Sequence, residues 1–456
     1  VISLSEHAVR YLDSWLALRQ RHLRVPGVQA AVLVGDEVVL STAHGVADLA
    51  TGSPMTPAHL FRIASHSKTF TATAVLQLVE SGALRLDDPV GAHLTWLAER
   101  APKLAGLTLR ELLGHGGGLA RDGQDAGFWL LTKPFPDERE LCESLTDADA
   151  VLGANERFKY SNIGYTLLGQ VIAAAAGEPY NDYVTTHIIN RLGLVDTTPE
   201  LDPKRLEDFA TGHTAAAYHE QRFPIGHTDS RAMSSATGFC STASEVCKYA
   251  AAHFTEDTRL LSERSKRLMQ REEWRLRGED TGYGLGFSVD EVAGRRLFGH
   301  SGGYPGYITR TVFDPVERLA VSVLTNAIDG PAAELATGLV KLIGMAQGEH
   351  RPELELYCGR FANVWGVVDI NCLGGRLLAL RPGAADPALL PTELAVESAR
   401  TLRITEAGGY GAPGETLEFD FDGDRIRSIT GMGGIVLHPL AEFAAGLGQQ
   451  AEVTLP

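Results

Sequence analysis

Past residue 355 the chain changes texture, and the change limits what it can fold into. Short runs ("WGVVDI", "RLLALRP", "TLRIT", "TLEFDF", "RIRSIT") alternate with Gly, Pro and Asp turns. Such runs are antiparallel strands, and about a hundred residues of them build a small β-barrel or sandwich. "TLEFDFDGDRIRSIT" predicts a hairpin through its Asp-Gly pair. Just before this region, "GMAQGEHRPELEL" is polar and carries Gly and Pro, the composition of a linker. The expected division is one domain over 1–345, a linker over 346–355 and a β-domain over 356–456.

A chain of 456 residues is too long for a single core, which agrees with two domains. The first begins with a helix whose Val9, Leu12, Trp15 and Leu16 share one face and which Ser5 can cap. In "VQAAVLVGDEVVLSTAHGVAD", two apolar runs flank Gly35-Asp36, a hairpin signature. From Ser65 to Leu268 the patterns are mostly helical. Three strand-like runs follow, "RRLFGHSGG", "YITRTVFDP" and "LAVSVLTN", and then a helix carrying Leu335, Leu339, Leu342 and Ile343. A hairpin, a long helical insertion and three more strands predict an α/β (α+β) fold. It has an antiparallel sheet flanked by helices and a helical subdomain beside it. The cleft between sheet edge and subdomain is the natural place for a site.

The net charge of -16 argues against nucleic acid and anionic membranes as partners. No apolar run is long enough to span a bilayer. The start, "VISLSEHAVRYLDSW", is charged and amphipathic, unlike a secretory leader. Cys142, Cys240, Cys247, Cys358 and Cys372 are odd in number and form no C-x-x-C pair. They read as free thiols in a reducing compartment, so the cytoplasm is expected, or the periplasm or exterior if a leader has been removed. No His/Cys cluster has zinc-ligand spacing, and neither metal nor cofactor is implied. Oligomeric state, including a homo-oligomer, is left open.

In "FRIASHSKTFTATAVLQLVESGAL", Ser65 and Lys68 stand three apart where an apolar segment becomes a helix ending near Gly82, so they share a face. A serine hydroxyl becomes a nucleophile when a neighbour takes its proton, and a lysine can take it only when neutral. Burial and the positive end of the helix both disfavour the ammonium form. The same helix end favours negative charge developing on a substrate oxygen. The plainer alternative is a serine cap followed by a solvated lysine. Ser67 is the better candidate for a cap, and His66 lies off the shared face.

Two further stretches bear on the choice. "FKYSNIGYTLLGQVI" contains Tyr160-Ser161-Asn162 before a helical run, and "LFGHSGGYPGYITR" contains His300-Ser301-Gly302-Gly303 at a strand end. The order S-x-x-K, Y-x-N, H-x-G resembles the serine β-lactamase and penicillin-binding-protein superfamily. It is most similar to the class C-like branch of DD-peptidases, D-aminopeptidases and family-VIII-type esterases. The resemblance covers roughly residues 5 to 345 and includes "LTLRELLGHGGGL", where that family usually has H-T-S-G in place of His115-Gly116-Gly117-Gly118.

The resemblance implies roles. Ser65 would attack a carbonyl and form an acyl-enzyme. Lys68 and Tyr160 would share the proton transfers, the base in each step being undecided. Asn162 would hold Lys68 and the substrate amide. His300, Ser301 and Gly302 would line the substrate, and the backbone N–H groups of Ser65 and Gly303 would form an oxyanion hole. His115 and His44 read as structural.

The family's β-lactamases usually carry K-T-G where this chain has His300-Ser301-Gly302. A histidine is only partly charged near neutral pH, which weakens the β-lactamase reading. The C-terminal β-domain is similar in position to barrels of D-aminopeptidases and to the lipocalin-like barrel of an archaeal relative. Its loops "GGYGAPGE" and "GMGGIV" are candidates to limit substrate size. The expectation is a serine hydrolase cleaving amides in small peptides, D-residues included. The alternatives are a carboxylesterase with the same residues, a β-lactamase, and a non-catalytic scaffold or sensor.

Overall fold

The computed structural model describes residues 2–278, 280–408, 411–431 and 433–450. Gly409, Tyr410 and Met432 of the two glycine-rich loops therefore lie outside the described residues. The chain divides into two compact units, one of Arg24–Ala336 and one joining Ile2–Leu23 to the chain from Thr337 onward.

The first unit is built on an antiparallel sheet. β1 (Gly27–Val34) and β2 (Glu37–Asp48) form the expected hairpin, with Gly35 at φ +66 in the turn, and β3 (Ser53–Pro54) adds to β2. β4 (Phe61–Arg62) stands apart and pairs with β7 (Cys240–Ser241), while β5 (Gly212–His213) pairs with β6 (Pro224–Ile225). Six strands follow rather than three: β8 (Trp274–Arg275), β9 (Thr281–Tyr283), β10 (Ser288–Val292), β11 (Arg295–Tyr304), β12 (Tyr307–Asp314) and β13 (Leu319–Thr325). The first three are too short to carry a readable alternation. The sheet order is β3-β2-β1-β13-β12-β11-β10-β9-β8.

β13 is buried at every residue, and β1 at all but Val34, which explains their largely apolar sequence. The helix Ala243–Ala251 packs against both. Pairing of β10 with β11 ends at Ser288↔Gly299, so residues 300–304 of β11 pair with β12 alone. That leaves the far half of β11 with one unpaired edge.

In the second unit, β14 (Gly359–Asn363), β15 (Gly366–Leu373), β16 (Arg376–Leu380), β17 (Thr392–Ser398), β18 (Thr401–Glu406), β19 (Thr416–Asp422), β20 (Arg425–Gly431) and β21 (Ile435–Pro439) close an up-and-down antiparallel barrel. The β19–β20 hairpin forms as expected, its turn made by Gly423 (φ +61) and Asp424. Phe361, Ile370, Leu377, Leu402, Phe419 and Ile429 belong to one buried apolar cluster that fills the interior. An eight-stranded barrel is just wide enough for side chains to fill it in this way. The helix Glu6–His22, capped by Ser5 as expected, belongs to this unit, as does most of Ala332–Met345. Trp15 lies against Gly338, where a Cβ would come within 2.4 Å of the indole. All five cysteines are free, and no helix among the described residues is long and apolar enough to cross a membrane.

Candidate active site

Ser65 follows a strained step in the backbone. Ala64 has φ +50, a left-handed conformation unusual for a residue with a side chain and characteristic of functional turns. A 3-10 turn over Ala64–His66 then runs directly into the helix Ser67–Glu80. Ser67 does not cap this helix. Its Oγ donates to the Ala64 carbonyl at 2.6 Å and accepts from Phe239 N–H at 3.0 Å, fastening the strained turn to the chain entering β7. His66 is buried between the Ile63 carbonyl (2.8 Å) and Thr311 Oγ1 (3.0 Å), and burial pulls its pKa down to about 4, so it is neutral. Arg62 donates to Glu200 at 2.7 Å and lies 4.2 Å from the Tyr304 ring centroid, tying β4 to the end of β11.

Two side chains meet the Ser65 hydroxyl. Lys68 Nζ lies 3.2 Å from Ser65 Oγ, and Tyr160 Oη donates to the same oxygen at 2.8 Å. Lys68 is fully buried, and Nζ also donates to the Ala236 carbonyl at 2.7 Å. Burial, reinforced by the Arg121 charge, drives its pKa well below the ordinary lysine value although Asp122 pulls the other way. The Tyr160 phenol is raised, again mainly by burial. Both shifts favour uncharged groups, an amine and a phenol.

Asn162 departs from expectation. Its Nδ2 donates to Asp122 Oδ1 at 2.6 Å rather than engaging Lys68 or standing free for a substrate, and its Oδ1 is buried without a partner. A carboxylate is the stronger attractor for amide N–H groups, which explains the capture. Trp129 Nε1 donates to the same Asp122 oxygen at 2.8 Å. Arg121, exposed, lies with Cζ 5.2 Å from the Tyr160 ring centroid and Nε 3.4 Å from Asp122.

His300 is buried, with Nε2 3.1 Å from Tyr283 Oη and Nδ1 2.6 Å from the Ser301 carbonyl. Burial holds its pKa well below the usual imidazole range, so it is neutral, not partly charged as the sequence suggested. Ser301 Oγ accepts from Arg310 at 3.0 Å, and Arg310 pairs with Asp290. Gly302 is required by space: a Cβ there would stand 2.2 Å from the Ile63 carbonyl oxygen and 2.3 Å from Thr309 Oγ1. Gly303 is exposed on the unpaired edge, and a Cβ there would stand 3.6 Å from Ile308, an ordinary contact.

Ser65, Lys68, Tyr160 and His300 thus gather in one place, with Asn162 one contact further out. Sequence reasoning missed Asp122, the Ala236 carbonyl and Tyr283, none of which sits in a recognisable pattern. Among the described residues no group of three or more His, Cys, Asp or Glu could hold a metal ion.

The chain belongs to the Beta-lactamase family, whose model matches residues 12–344. It is 28% identical over 365 residues to penicillin-binding protein 4 of Amycolatopsis lactamdurans, covering 76% of this chain and 92% of that protein. It is 27% identical over 354 residues to a D-aminopeptidase of Brucella anthropi, covering 76% of this chain and 64% of that protein. In fold it resembles the octameric penicillin-binding protein homologue from Pyrococcus abyssi, with a TM-score of 0.66 and 22% identity, covering 94% of this chain and 99% of that one. The chain is a serine hydrolase of the β-lactamase-like superfamily.

Proposed function

We propose that the chain is a serine amidase or peptidase that attacks through Ser65 and takes small peptides or amides with a free amino end. The observation that carries this reading is the pair of uncharged groups on one hydroxyl: the buried Lys68 amine and the Tyr160 phenol both reach Ser65 Oγ. The Lys68 amine takes the Ser65 proton as Oγ bonds to the substrate carbonyl carbon. The Ser65 and Gly303 N–H groups stabilise the oxyanion. Tyr160 gives its proton to the leaving nitrogen as the C–N bond breaks, and the Lys68 ammonium restores the phenol. Water then enters by the reverse sequence and releases the acid. An amine is a poor leaving group without that proton, so a phenol placed to give it equips the site for amides as well as for the easier esters.

The amino-end preference rests on charge. His300 is neutral, so it offers a substrate carboxylate no fixed positive charge. Asp122 lies within hydrogen-bond reach of Asn162 and borders a cavity of about 390 Å³ lined also by Phe128, Ile163, Met233, Glu140 and the ion pair of Asp125 with Lys133. Asp122, whose charge acts on both Lys68 and Tyr160, lies beside this apolar wall and suits an ammonium group next to an apolar side chain. The D-aminopeptidase from Brucella anthropi, a relative by sequence, extends the reading to D-residues.

The test is a panel of D- and L-amino-acid p-nitroanilides, free and N-acetylated, with p-nitrophenyl esters and a chromogenic cephalosporin. Free-amine anilides should be the best substrates, and acetylation or Asp122→Asn should lower kcat/KM by about tenfold or more. Esters turned over with no anilide activity would make the chain a carboxylesterase. Equal rates on free and acetylated anilides would remove the ammonium subsite.

A further inference from the structure

His115 opens the segment His115-Gly116-Gly117-Gly118, and its surroundings exceed what packing alone requires. The segment acts as a backbone template for residues 151–161. The Gly118 carbonyl accepts from Leu152 N–H at 3.1 Å, the Gly116 carbonyl from Asn155 N–H at 2.7 Å, and the His115 carbonyl from Lys159 N–H at 2.9 Å. The series continues into a side chain: His115 Nδ1 accepts from Ser161 N–H at 3.2 Å. One residue therefore holds the amides on both sides of Tyr160. Its ring also lies against the Tyr160 ring, centroids 4.3 Å apart, and near Tyr165 (5.0 Å) and Tyr283 (4.9 Å).

The glycines serve the same approach. Gly118 has φ +66, and a Cβ there would stand 2.3 Å from the Leu152 carbonyl oxygen. His115 itself has φ +57, a strained conformation for its type. Because Nδ1 accepts, the ring proton sits on Nε2, which is buried and has no partner. The ring is held by the Ser161 amide and by stacking, and both contacts lead to Tyr160.

We propose that His115 is a positioning residue for Tyr160, fixing the height and tilt of the phenol over Ser65 Oγ. The inference rests on the proposed proton transfer by Tyr160. It requires the Nδ1 acceptor and not merely a buried ring.

Two substitutions separate these roles. Asn suits a left-handed backbone, and its Oδ1 takes the place of Nδ1. Phe keeps a ring and loses the acceptor. With Ser65 sites titrated by a fluorophosphonate, His115→Phe should lower kcat per titrated site about 10- to 100-fold, the scale of a small misplacement of a reacting group. KM should change less than about twofold, and His115→Asn should stay within about fivefold of the parent. In a Tyr160→Phe background, His115→Phe should cost little more, since both act through one group. Parent-like kcat in His115→Phe, or equal losses in the Asn and Phe variants, would overturn the proposal. Full additivity with Tyr160→Phe would do the same. If Tyr160→Phe alone keeps parent kcat, the proton-transfer reading falls and this proposal with it. If Tyr160→Phe loses kcat while His115→Phe does not, only this proposal falls.

Discussion

The Ser65 cleft and the barrel bury their side chains under opposite rules. In the barrel the filling is apolar, and the buried carboxylate Asp369 is matched by Arg360 at 2.7 Å. In the cleft, Lys68, His66, His115, Asn162 and His300 are all buried, and the Asn162 Oδ1 and His115 Nε2 atoms lack partners. Unpaired buried polar atoms are costly, typically about 1–3 kcal/mol each. The cleft therefore carries a burial cost that the apolar filling of the barrel avoids. Substitutions should read out differently in the two places.

The largest effect is expected at Ser65. Ser65→Ala should lower kcat by about five orders of magnitude, as for other nucleophile deletions, with the melting temperature close to the parent's. An equal loss of stability would mean that Ser65 is structural. Next comes Lys68. Its depressed pKa means that the folded state binds fewer protons than the unfolded chain, so stability contributed at this site rises with pH between the folded value and about 10.5. At neutral pH the lysine is a net cost. Lys68→Met should abolish activity and raise stability by about 1–4 kcal/mol at pH 7, a gain that shrinks towards pH 10. Chemical denaturation across that range checks the sign, and destabilisation by Lys68→Met at pH 7 would contradict it.

The barrel should show the reverse pattern. Phe419→Ala should remove about 3–5 kcal/mol of stability while kcat per titrated Ser65 stays at the parent value. A fall in kcat per site would break the contrast between the regions. Gly302→Ala lies between the two kinds of site. Its Cβ would collide with the Ile63 carbonyl, so both activity and stability should fall, the latter by about 1–3 kcal/mol. Gly303→Ala, with room for a methyl, should keep its stability, and comparing the two melting curves tests this.

Much of this was legible in the sequence, for reasons that differ by element. The barrel announced itself because each strand is a short run closed by turn residues. The β11–β13 meander did so because its strands are long, at seven to ten residues. Ser65, Lys68 and Tyr160 were singled out by the order of S-x-x-K, Y-x-N and H-x-G, which resembles one family, and their side chains meet in the structure. Asp122 was invisible because it meets Asn162 across forty residues with no periodic signal. His300 misled because its charge depends on burial against Tyr283, which spacing does not encode. Ser67 misled because the 3-10 turn before the helix supplies a backbone entry that needs no cap.

Every role proposed for the cleft depends on Ser65 being the residue that becomes acylated. Incubation with a fluorophosphonate or a penicillin, proteolysis and peptide mass mapping test this most directly. The adduct is expected on the Ser65 peptide, assigned to Ser65 by fragmentation and lost in Ser65→Ala. An adduct on Ser67 or Ser301, or one that persists in Ser65→Ala, would contradict it.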